Sequence, residues 1–70
     1  MNREKFIAAS RAAFGERWQT DMAHALGVSD RTVRNWVSGK YNLPPTLSAD
    51  IKLILEKRKA QIKEAIEIVD

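Results

Sequence analysis

The stretch GVSDRTVRNWVSGK, Gly27 to Lys40, sets two arginines, a lysine and an asparagine around one tryptophan and three valines. Placed on a helix over residues 30–38 at about 100° per residue, Val33, Trp36 and Val37 share one face. Arg31, Asn35 and Ser38 fall on the opposite face, Arg34 stands to one side, and Asp30 and Thr32 lie at the flanks. The apolar face can fasten such a helix to a body while the other presents two guanidiniums and an amide. Ser29 is placed to cap the helix and Gly39 to close it.

Upstream, NREKFIAASRAAFG reads as a helix. Asn2 is a good N-cap, Phe6, Ile7, Ser10, Ala13 and Phe14 recur at helical spacing, and Gly15 suits a left-handed end. WQTDMAHALG is a second, shorter helix with Trp18, Met22, Ala23 and Leu26 inward and Gly27 as terminator. KYNLPP is a loop, because Pro44 and Pro45 disfavour helix before them and Pro45 can begin the next one. From Thr46 to Val69 there is no breaker. Leu47, Ile51, Ile54, Leu55, Arg58, Ile62, Ala65, Ile66 and Val69 step by three and four, giving one long helix or two abutting ones. With no strand pattern, the expected fold is all-α: a compact helical domain of four or five helices with a long C-terminal helix.

The helix over 30–38 carries a definite chemistry. Arginine can grip guanine O6 and N7 through two hydrogen bonds, and asparagine can do the same with adenine N6 and N7. The preceding LGVS leaves only a few residues between two helices and so predicts a steep crossing. That is the geometry of a helix-turn-helix, whose second helix enters the major groove.

QTDMAHALGVSDRTVRNWVSG, Gln19 to Gly39, resembles the helix-turn-helix of the lambda-repressor and Cro-like (XRE-type) DNA-binding proteins. The match lies at Gln19, Ala23, Gly27, Val28, Ser29, Val33, Trp36 and Gly39. Ala23 is small where two helices touch, Gly27 makes the left-handed turn without strain, and Val28 and Val33 seal the crossing. The resemblance implies base reading by Asp30, Arg31 and Asn35, with Arg34 alongside. It implies phosphate contacts from Gln19, Ser38, Lys40 and Tyr41 or Asn42. This chain departs from the family pattern at Trp18, where a capping Ser or Thr is frequent, and at Ser38, which replaces a frequent Asn. Asp30 has a second reading, since a carboxylate in the first turn also complements the helix dipole.

Composition narrows the alternatives. Seventy residues make one small domain, and the absence of cysteine excludes disulfides and makes a zinc site an unfavoured reading. His24 has no second ligand at metal spacing, so no metal or cofactor is expected. Residues 1–45 hold seven basic and four acidic residues, whereas 46–70 hold five of each, so the net charge of +3 sits with the first part. That suits an anionic partner there. No apolar run approaches the roughly 20 residues that span a bilayer, and MNREKFIAAS lacks a signal-peptide core. A cytoplasmic location is expected. There is no Gly-rich phosphate loop or Cys nucleophile, and Glu16 and Asp21 have no evident partner to shift a pKa, so an enzyme is not expected. Lys52 with Glu56 and Lys63 with Glu67 are opposite charges four apart, the pattern of a solvated helix face.

The expected organisation is therefore a DNA-binding core over 1–45, with its motif at 19–39, and a C-terminal helix over 46–70. The first half of that helix, Leu47, Ile51, Ile54 and Leu55, is expected to cover the motif helices. Ile62, Ala65, Ile66 and Val69 are left without cover, which predicts a homodimer; a break near Arg58 that folds the helix back is the alternative. The expected function is sequence-specific binding of double-stranded DNA at a palindromic operator by a transcriptional repressor. The other class is a protein-binding adaptor, such as the antitoxin half of a toxin–antitoxin pair. Arg31, Arg34 and Asn35 argue for DNA, because an adaptor has no need of base-reading side chains opposite buried valines.

Overall fold

The computed structural model describes residues 1–69 and contains four helices among them: α1 (Arg3–Phe14), α2 (Trp18–Leu26), α3 (Asp30–Ser38) and α4 (Leu47–Val69). Asn2 caps α1, its Oδ1 accepting from the Lys5 amide at 2.8 Å. Ser29 caps α3 through Oγ, which accepts from the Thr32 amide at 3.2 Å. Gly27 and Gly39 end α2 and α3 at φ 71° and 83° with ψ 29° and 6°, in the left-handed region. Gly15 differs from the sequence expectation. Its φ of 83° is positive, but ψ is −160°, outside the left-handed helical well and in a region almost reserved for glycine.

α1 is the hub, packing against α2, α3 and α4, while α2 also packs on α3. One core joins the helices: Phe6, Trp18, Met22, Ala23, Val33, Trp36, Leu47 and Ile51. Phe6 stands edge-on to both indoles, 5.4 Å from Trp18 and 5.8 Å from Trp36 between ring centroids. Edge-to-face pairs of this kind contribute roughly 0.5–1.5 kcal/mol beyond burial. Ser10, at an inward position of α1, is fully buried with the apolar residues.

α4 is a single helix. It runs without interruption past Arg58, so the fold-back over that residue does not occur. It begins at Leu47 after a turn in which the Leu47 amide donates to the Pro44 carbonyl at 3.1 Å. Its principal partner is α1 rather than the two shorter helices, although Leu47 and Ile51 reach the core that those helices share. Cover then fades along the helix. Ile51 is buried, Ile54, Leu55 and Arg58 are half-buried, and everything from Lys59 to Val69 is exposed. At 1.5 Å per residue the exposed part is about 16 Å of free-standing arm. The molecule measures 45 × 21 × 20 Å, the long axis reflecting this arm.

Candidate nucleic-acid interface

The outward side of α3 is fixed by what its inward side buries. Val33 and Trp36 enter the core and Val37 packs against its edge. The helix periodicity then turns Arg31, Arg34 and Ser38 fully outward, with Asn35 and Asp30 half-buried beside them. Arg31, Arg34 and Asn35 thus share one accessible side of a helix whose other side is anchored. Asp30 is held across to α2, its Oδ2 accepting from Thr20 Oγ1 at 3.4 Å. That bond ties the start of α3 to α2 and gives the carboxylate a role within the protein.

Beyond α3 the chain enters the loop. Lys40 and Tyr41 are exposed, and Lys40 Nζ stands 5.8 Å from the centre of the Tyr41 ring. The Tyr41 amide donates to the Asn35 carbonyl at 3.3 Å, which folds the loop back over the end of the helix. Ser38 Oγ donates to that same carbonyl at 3.2 Å. Its hydrogen is therefore committed to the helix, leaving only oxygen lone pairs to face outward. Gln19 is half-buried in the first turn of α2, which has Arg17 at the N-cap and no side-chain cap. The amide donors of that turn are left for another acceptor.

Two arginines outside the sequence-predicted set turn out to be placed by tertiary contacts. The Arg3 guanidinium lies against Gly39, so close that a Cβ added there would meet Nη2 at 2.5 Å. Arg58 donates from Nε to the Ala13 carbonyl at 3.0 Å and lies over the Phe14 ring, 5.0 Å from its centre. No local pattern announces either pair, because each joins positions far apart in the chain.

The residues assigned to dimerisation sit on the arm of α4. Ile62 is 49 % exposed, Ile66 67 % and Val69 84 %, and Ala65 is exposed between them. Ile68 and Leu53 are exposed apolar residues that the stripe did not include. His24, Glu16 and Asp21 are all on the surface. No cluster of three metal-ligating side chains occurs among the described residues, and none of their helices is long and apolar enough to cross a membrane. Comparison with known protein families, curated proteins and solved structures finds no match for this chain.

Proposed function

We propose that this chain is a sequence-specific double-stranded-DNA-binding regulator, with α2, the Gly27–Ser29 turn and α3 as a helix-turn-helix. The observation that carries the reading is the two-sidedness of α3: Val33 and Trp36 buried, Arg31 and Arg34 outward with Asn35 beside them. From Arg31 to Ala49 the chain has three basic residues and no Asp or Glu, so beyond Asp30 at the start of α3 the helix and its loop carry positive charge only. Arg31, Arg34 and Asn35 are the base readers in this proposal. Lys40, Tyr41 and the first turn of α2 at Gln19 hold backbone phosphates, which fix register rather than sequence. Asp30 acts chiefly within the protein through Thr20. The simplest action is repression, by occupying a promoter.

The protein acts as a homodimer in this reading, joined through Ile62, Ala65, Ile66 and Val69. One α3 reads only a few base pairs, and a two-fold pair reads two half-sites about 34 Å apart. The exposed stripe on the arm supports this, since apolar residues in a row favour a protein partner over water. Selection from a pool of randomised duplexes, followed by sequencing, tests the whole proposal. Enrichment of a palindrome with a fixed half-site spacing is expected. No enrichment over the starting pool at moderate salt would count against DNA recognition and leave the adaptor reading.

A further inference from the structure

Gly39 is where the first helix meets the loop after the third. It closes α3 at φ 83° and ψ 6°, and the Arg3 guanidinium rests on it, with Nη2 and Cζ lying 2.5 and 2.9 Å from where a Cβ would stand. Asn2, Arg3, Tyr41 and Asn42 line an adjoining concavity of about 270 Å³, whose lining also includes the apolar Met1, Trp36 and Leu43. Lys40 Nζ stands 5.8 Å from the centre of the Tyr41 ring, on the loop that lines it. A guanidinium, a phenol and two amides therefore converge there from the start of α1 and the loop after α3, with Lys40 beside the phenol ring. α3 has no basic residue in its own last turn, so Arg3 also brings the positive charge that its carbonyl end favours.

We propose that Arg3 completes a seat for one phosphodiester of the DNA backbone, shared with Lys40, Tyr41 and Asn42. The proposal rests on the DNA-binding reading of α3 and adds a contact from a different helix. A guanidinium offers a planar fork of donors that matches two phosphate oxygens, whereas Lys40 adds a mobile point charge. The Tyr41 hydroxyl and Asn42 amide supply further donors. The seat adjoins the end of α3, just past Asn35 and Ser38, where the edge of a groove would run if the helix lay in it. The exposed Arg3 side chain lies against Gly39 with its guanidinium beside the loop, so it need not travel far to reach a phosphate there. The missing Cβ at Gly39 makes that resting place possible, and α1 becomes part of the DNA-facing surface.

The test is an anisotropy titration of the full chain against its selected duplex and a random duplex over a range of salt. Arg3→Ala is expected to weaken both duplexes alike, by about tenfold, and to make the salt dependence shallower by about one counterion. Arg3→Lys should recover part of the loss. Arg3→Ala with Lys40→Ala should lose less than the product of the single losses, because both groups hold the same phosphate. Losses that multiply would contradict a shared seat. A lowered melting temperature with unchanged affinity and salt slope would reduce Arg3 to a structural role and overturn the proposal. Inorganic phosphate should displace the duplex no better than chloride of equal ionic strength; stronger displacement would make this a small-anion site instead. A parent protein without affinity for any duplex would remove the DNA reading and the seat together. A binding parent with an unaffected Arg3→Ala variant would remove the seat alone.

Discussion

Arg58 of α4 donates from Nε to the Ala13 carbonyl of α1 at 3.0 Å while its guanidinium lies over Phe14. The acceptor belongs to the last turn of α1, whose carbonyls have no partner within their own helix. The contact thus serves three ends: it satisfies a carbonyl, complements the negative end of α1 and covers an aromatic face. It is also the last anchor of α4 before the arm leaves the body. Arg58→Ala is expected to destabilise the fold by about 1–2 kcal/mol in urea denaturation. Arg58→Lys should recover little of this, since an ammonium has no Nε at that reach. A variant as stable as the parent would show that the body holds α4 without this bond.

Trp36 is 6 % exposed and packs edge-to-face with Phe6, so it belongs to the body and not to the exposed side of α3. Truncating a buried tryptophan costs roughly 3–5 kcal/mol, comparable with the whole stability of so small a domain. Trp36→Ala should be largely unfolded by circular dichroism. A well-folded Trp36→Ala protein that had merely lost DNA binding would place the ring on the nucleic acid.

Ser10 is 0 % exposed and its Oγ has no hydrogen-bond partner. A buried hydroxyl without a partner is unfavourable, and alanine is also the better helix former. Ser10→Ala is therefore expected to raise stability by about 1 kcal/mol, read as a higher denaturation midpoint. A less stable variant would mean that the hydroxyl finds a carbonyl of its own helix.

What the sequence made legible was local. Asn2, Gly27, Ser29 and Gly39 each act within three or four residues, and their caps and turns stand where those rules put them. The two-sidedness of α3 is periodic and so equally readable. The length of α4 followed from an absence of breakers, but its packing did not. Arg58 occupied a place in an apolar stripe, and nothing nearby in sequence pointed to Ala13 or Phe14. Arg3 was invisible for the same reason, its meaning depending on Gly39. Gly15 was readable as a helix end but not in its ψ, which depends on where the chain must go next.

The arm of α4 supplies the fourth prediction. Ile62 and Ile66 lie outside the core, so changing them should leave the body intact. Ile62→Asp with Ile66→Asp is expected to give a folded monomer by light scattering and circular dichroism, with much weaker binding to a palindromic site. A parent protein that is monomeric at micromolar concentration yet binds such a site tightly would contradict dimerisation through the arm.

The central claim is that α3 reads bases through Arg31, an exposed side chain whose loss should leave the core untouched. The most direct measurement is the affinity of Arg31→Ala for the selected duplex and for that duplex altered one base pair at a time. The account predicts a loss of about 1–3 kcal/mol on the best site and relaxed preference at one base pair, with the melting temperature unchanged. An Arg31→Ala protein that binds the selected duplex as tightly and as selectively as the parent would contradict it.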